Sequence, residues 1–233
     1  MALLQVALDN ENLDDALAIA EQVVNHVDIM EIGTPLIKGE GIGAVKALKK
    51  AHPNKLICAD LKTADAGYLE VRMAAQASAD IVTVLADAYD ETLIGALQAA
   101  HEHQIEIMAD LIVSRIPVSR LADIIGLQYK GTKIHYACVH SGLDRTAARR
   151  APLSELNSVA RLRGHPRLAL AGGIRASDVP QILAYPVAII IVGGGITKAN
   201  NPAKAARELR KIIQKHSTKP KTKQVQAARE SSS

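Results

Sequence analysis

Val187-Ala188-Ile189-Ile190-Ile191-Val192 is an unbroken apolar run that ends in Gly193-Gly194-Gly195, and helical spacing follows at Ala206, Leu209 and Ile213. A strand with no polar face must be covered on both sides, as in a parallel sheet under crossover helices. The same unit repeats upstream. Apolar runs stand at Leu3–Leu8, Val27–Ile32, Lys55–Asp60, Asp80–Leu85, Ile105–Leu111, Ile134–His140 and Arg167–Ala171, and the last spans Val187–Gly193. The segments between them are long enough to cross back over a sheet. In the first, Leu13, Ala16, Leu17 and Ala20 follow i, i+3, i+4, i+7, the apolar stripe of a covering helix.

Eight strand-then-helix units in about 215 residues predict an α/β protein of the (β/α)8 TIM-barrel class. An open doubly wound sheet is the alternative, but the first turn, Asp9-Asn10-Glu11-Asn12, has no glycine fingerprint for a dinucleotide. Asn12 or Asp9 can cap the first helix, Ser177 and Asp178 the short seventh, and Pro117 and Pro202 suit first-turn positions. No linker divides the body, so we expect one barrel domain over residues 1–214 and a basic polar tail, 215–233, that is disordered.

The net charge of +4 comes from the C-terminal end: residues 211–233 hold six Lys/Arg and one acid, leaving 22 basic against 23 acidic side chains in 1–210. A basic tail could touch nucleic acid or a membrane, although a polar, solvated extension is the plainer reading. Phe and Trp are absent and Tyr occurs five times, which argues against a base-stacking platform. No apolar run reaches membrane-spanning length and the N-terminus lacks a signal-peptide pattern, so a cytoplasmic protein is expected. Cys58 and Cys138 lie in strand runs without metal-type spacing and read as reduced core residues.

The active site of such a barrel lies at the carboxyl ends of its strands. Asp9, Glu31, Asp60 with Lys62, Asp110 and His140 stand there, followed by Gly172-Gly173 and Gly193-Gly194-Gly195. Converging carboxylates raise one another's pKa unless a cation neutralises them. Glu31 and Asp60 offer hard oxygen ligands suited to Mg2+ or Mn2+; the same side chains could instead cap helices or pair with basic groups. The two glycine clusters can cradle a phosphate, or simply permit tight turns. His140 stands where neutral imidazole could exchange a proton. His101 and His103 read as solvated surface.

Ala59-Asp60-Leu61-Lys62-Thr63-Ala64-Asp65 resembles the Asp-x-Lys-x-x-Asp signature of the orotidine 5′-monophosphate decarboxylase superfamily. Leu4–Asp9, Asp28–Pro35, Ala79–Leu85, Val139–Asp144, Ala171–Ile174 and Val192–Ile196 extend the resemblance, in order, to its 3-hexulose-6-phosphate synthase family. The resemblance implies aldol addition of formaldehyde to D-ribulose 5-phosphate through a 1,2-enediolate, with Mg2+ on Glu31 and Asp60. Carried over by position, Lys62 stabilises enediolate charge and His140 transfers a proton. Asp110 belongs to the same catalytic set, Asp9 and Asp65 bind substrate hydroxyls or orient Lys62, and Gly172, Gly173, Gly193 and Gly194 hold phosphate. It also implies a homodimer in which Asp65 reaches the neighbouring site.

The related 3-keto-L-gulonate-6-phosphate decarboxylases usually carry Glu at the position of Asp110, Arg at Leu143, Thr at Ala171 and Arg at Gly194. All four residues here fit the synthase pattern. The segment from Ile112 to Lys133 is poorly matched, and Gln128–Lys133 reads as a slightly longer loop.

Overall fold

The computed structural model describes residues 1–145 and 151–217. Its eight barrel strands are β1 (Leu3–Leu8), β2 (Ile29–Ile32), β3 (Leu56–Thr63), β4 (Ile81–Leu85), β5 (Glu106–Asp110), β6 (Tyr136–His140), β7 (Arg167–Ala171) and β8 (Val187–Val192). All neighbours pair in parallel, and β8 closes on β1 with Leu3 opposite Ile189. The (β/α)8 barrel expected from the repeating runs is therefore the fold.

Alternation explains why uniformly apolar strands suit it. Ala7, Ile29, Cys58, Met108, Cys138, Ala169 and Ile189 belong to the cluster inside the barrel. Their chain neighbours, such as Val6, Met30, Ile57, Ile107 and Ile190, pack outward with the helices. Both cysteines are free and buried. The amino-terminal mouth is closed by Glu106, Tyr136 and Arg167: Glu106 pairs with Arg167, the Tyr136 hydroxyl donates to Glu106 at 2.9 Å, and the guanidinium lies 4.0 Å over the Tyr136 ring. Burial, then Glu106, pushes the Tyr136 phenol up to about 12.

Asn12 caps the first helix, accepting the Asp15 N–H at 2.9 Å. Pro117 and Pro202 open their helices as expected. Asp178 precedes the helix Val179–Ile182, but its carboxylate accepts the Arg175 N–H at 2.8 Å instead of capping that helix.

The stretch read as a longer loop folds into a small antiparallel hairpin, Gln128–Tyr129 against Thr132–Lys133, with Lys130 (φ 47°) and Gly131 (φ 83°) at its turn. Two-residue strands are too short for alternation to reveal. His101 and His103 are exposed, as expected, and His101 also touches the hairpin: Nδ1 lies 3.0 Å from Thr132 Oγ1 and the ring meets Tyr129 edge-on.

The last helix, Pro202–Ser217, runs past the boundary drawn at 214, because the first three tail residues continue it. Arg210 on this helix pairs with Asp28, which also accepts the Leu4 N–H at 2.9 Å. The rest of the expected disordered tail, 218–233, lies outside the described residues. Among the described residues, no helix is long and apolar enough to cross a membrane.

Candidate active site

Side chains two apart along a strand share a face, so the inner row continues upward into polar residues at the carboxyl mouth. Glu31 follows Ile29, Asp60 follows Cys58, Thr83 follows Ile81, Asp110 follows Met108, and His140 follows Cys138. Glu31, Asp60, Thr83 and Asp110 are all buried.

Strand β3 does one further thing. Ala59 pairs with Val82 but Thr63 pairs with Val84, so four steps on β3 match two on β4. This bulge carries Lys62 in a left-handed conformation, φ 48°, with its N–H on Thr83 Oγ1 at 3.0 Å. The ammonium consequently folds back onto Asp60, bonds Thr34 Oγ1 at 3.2 Å, and lies 3.8 Å from Asp110. Asp60 also accepts Thr34 Oγ1 at 2.8 Å and Thr83 Oγ1 at 2.7 Å. Burial alone would push its carboxyl up, but the Lys62 charge and these donors hold it below the usual range. Burial would likewise lower the Lys62 ammonium, yet Asp60 and Asp110 raise it well above an ordinary lysine.

Asp110 also holds His140. Its carboxylate accepts the Ile112 N–H at 3.0 Å and lies 3.0 Å from His140 Nδ1. On the other side, Glu31 takes a hydrogen bond from Gln5 inside the barrel. Burial, then the charges of Asp60 and Asp9, raise the Glu31 carboxyl far above its ordinary value. Asp9 keeps an exposed face, but partial burial and Asp60 raise it too.

Glycine makes room for Asp9 on two sides. A Cβ on Gly33 would overlap Asp9 Oδ1, and one on Gly193 would stand 3.1 Å from Oδ2. Gly172 (φ 96°) and Gly173 (φ 65°) take left-handed conformations after β7, beside Gly193 and Gly194 after β8. A Cβ on Gly194 would make only ordinary contact, with Lys198 at 3.5 Å.

Asp65 does not join the cluster. It is exposed, and its Oδ1 accepts the Ala66 N–H at 2.7 Å. The helix begins at Gly67 with Ala66 at its cap, so Asp65 is not that cap either.

Sequence reasoning missed Gln5, Thr34, Thr83 and Gly33. Gln5 and Thr83 left a signal, each being a polar residue inside an apolar strand; Thr34 and Gly33 left none.

The donor set suits a hard dication. Four carboxylates, Asp9, Glu31, Asp60 and Asp110, face one ammonium, and buried Gln5 Oε1 beside Glu31 has no hydrogen-bond partner among the described residues. Glu31 and Asp60 would hold such an ion, offering oxygen ligands of the type Mg2+ prefers.

The family model described as Orotidine 5′-phosphate decarboxylase / HUMPS family matches residues 2–209. The chain belongs to this family. A member from Mycobacterium gastri, 3-hexulose-6-phosphate synthase, is 39% identical over 212 residues, 90% of this chain and 99% of that one. The crystal structure of 3-hexulose-6-phosphate synthase from Salmonella typhimurium has a TM-score of 0.85 at 34% identity, covering 92% of this chain and 99% of that one. The 3-keto-L-gulonate-6-phosphate decarboxylase of Vibrio cholerae O1 has a TM-score of 0.79 at 30% identity, covering 92% of this chain and 98% of that one. This family member thus has relatives of both names, and the mouth of the barrel must distinguish them.

Proposed function

We propose that the chain is an aldehyde-lyase that joins formaldehyde to D-ribulose 5-phosphate, or runs the reverse cleavage, giving D-arabino-hex-3-ulose 6-phosphate through a 1,2-enediolate. The observation that carries this reading is the Lys62 ammonium between Asp60 and Asp110, with His140 on Asp110. A cation held beside an imidazole in one mouth supports this reading. Glu31 and Asp60 would hold Mg2+ or Mn2+, which would supply positive charge to stabilise the enediolate. His140, oriented through Nδ1 by Asp110, takes the C1 proton, and Lys62 stabilises the charge left on oxygen. C1 then attacks the formaldehyde carbon, and the new alkoxide takes the proton back from His140. Asp9 binds sugar hydroxyls, while backbone N–H groups at Gly172, Gly173, Gly193 and Gly194 hold the phosphate. These remote contacts orient the reacting carbon, since formaldehyde is too small to supply much binding energy.

The decarboxylase reading is weaker because an arginine pair is missing from the mouth. Leu143, at one arginine position, is 76% exposed, and Gly194 stands at the other. Neither side chain can make bidentate anion contacts. The deciding assay offers purified protein ribulose 5-phosphate with formaldehyde, and separately 3-keto-L-gulonate 6-phosphate, each with and without EDTA. We expect turnover of the first pair only, lost in EDTA and restored by Mg2+. Borohydride will trap no adduct on Lys62, whose protonated amine is a poor nucleophile. Gly194→Leu should raise KM for ribulose 5-phosphate by about tenfold or more by filling the phosphate position, leaving the fold intact. Unchanged KM would move the cradle elsewhere.

We further infer a cytoplasmic homodimer with shared sites. Asp65 points away from its own cluster, and the helix Gly67–Gln76 after it exposes Leu69 (47%) and Met73 (44%), as an interface would. Mixing inactive Lys62→Ala and Asp65→Asn chains should restore about a quarter of the sites, because half of randomly formed dimers are mixed and each has one intact site. No recovery despite demonstrated exchange would put Asp65 to work within its own chain. A chain truncated after residue 217 should keep full turnover. If activity instead vanishes and nucleic-acid binding is lost with it, the tail carries the function.

A further inference from the structure

Asp110, Cys138 and His140 each bring one donor atom to within 4.8 Å of the others. Register explains the meeting: Asp110 pairs with Cys138 across β5 and β6, and Cys138 and His140 are two apart on β6. All three therefore face the barrel axis with one carboxylate oxygen, one sulfur and one imidazole nitrogen. The aldol reading employs Asp110 and His140 but gives Cys138 no part.

We propose that these three side chains form a second metal site, for a borderline ion such as Zn2+ rather than Mg2+, and that its occupation stops the reaction. Sulfur and imidazole donors favour Zn2+, whereas the oxygens of Glu31 and Asp60 favour Mg2+. Zinc bonds of about 2.0–2.3 Å place tetrahedral ligands about 3.5 Å apart, so a contraction of roughly 1 Å closes the set. Three protein ligands leave the fourth position open towards the mouth, where His140 is partly exposed. On binding, Cys138 releases its thiol proton to water and its sulfur lone pair goes to the metal. The His140 proton moves from Nδ1 to Nε2, its hydrogen bond to Asp110 is replaced by two metal bonds, and nothing is oxidised or reduced. One dication for one proton adds a single positive charge; Lys62, 3.8 Å from Asp110, opposes it, while the carboxylate of Asp60 favours it. A metal-bound imidazole can no longer take the C1 proton. The inhibition rests on the role proposed for His140; the binding does not.

The test uses the full-length chain with Co2+ as a spectroscopic probe, since a cobalt–thiolate bond gives a near-ultraviolet charge-transfer band. We expect one Co2+ per chain with this band, displaced by Zn2+, absent in Cys138→Ser and retained in Cys58→Ser. At saturating Mg2+, Cys138→Ser should turn over like the unaltered chain and need at least about tenfold more Zn2+ for half-inhibition. Should the serine variant fail to fold by circular dichroism, Cys138→Ala carries the same comparison. A missing band, a band that survives both Cys138 substitutions, or inhibition relieved by raising Mg2+ would overturn the site. A Cys138-dependent band in a chain that turns over neither sugar phosphate would sustain the site and overturn the proposed reaction.

Discussion

Glu31→Gln is expected to remove most of the turnover and, in the absence of metal, to make the chain more stable. The loss should be about 10²–10³-fold in kcat, the scale for removing one preorganised group that stabilises transition-state charge. An amide is a poor ligand for a hard dication, so Mn2+ binding followed by electron paramagnetic resonance should weaken in parallel. The gain in stability follows from electrostatics. Burial beside Asp60 and Asp9 raises the Glu31 carboxyl in the folded chain, so the protonated form is the one the barrel favours. Its contribution is complete below the unfolded pKa of about 4.3 and is lost as pH rises through the raised folded value. Above that value the ionised carboxylate is a penalty, which glutamine removes. Thermal unfolding in EDTA across pH should show the unaltered chain losing stability over this interval, and Glu31→Gln lacking that loss. Adding Mg2+ should raise the melting temperature of the unaltered chain alone. Full turnover in EDTA would overturn the metal assignment. Asp60→Asn should be equally inactive but should also destabilise, because it strips Lys62 of its closest partner.

Gly33→Ala is expected to lower kcat/KM by about a hundredfold while leaving the barrel folded, the cost typical of misplacing a positioning group by about 1 Å. Gly33 has φ −65° and ψ 156°, which any residue adopts, so backbone freedom does not explain the glycine. Space does: the added methyl would overlap Asp9 Oδ1 and press the Leu8 carbonyl oxygen at 2.9 Å. The carboxylate must swing out of the mouth. Steady-state kinetics should show most of the loss in KM if Asp9 binds substrate hydroxyls, and in kcat if it orients Lys62; an Asp9→Gly, Gly33→Ala double variant should be no worse than Asp9→Gly alone. Additive losses would mean that Gly33 acts through something other than Asp9.

These effects divide the molecule into what spacing revealed and what contact created. The barrel and the strand-end positions of Asp9, Glu31, Asp60, Asp110 and His140 were legible because apolarity and the two-residue period are properties of each strand by itself. The glycine clusters were legible too, since they follow directly on β7 and β8. Meetings between strands were not. Lys62 reaches Asp60 only through a bulge whose extra residues exist relative to β4. His140 finds Asp110 thirty positions away because β5 and β6 become neighbours in a particular register. Gln5 holds Glu31, and Gly33 yields to Asp9, across the same kind of seam. Asp65, adjacent in the motif to residues that converge, is turned outward by the backbone leading into the next helix. Sequence alone therefore determined which side chains could face the mouth, because that depends on local alternation. Only the closed barrel decided which of them touch, because register and closure are set by packing between segments far apart in the chain.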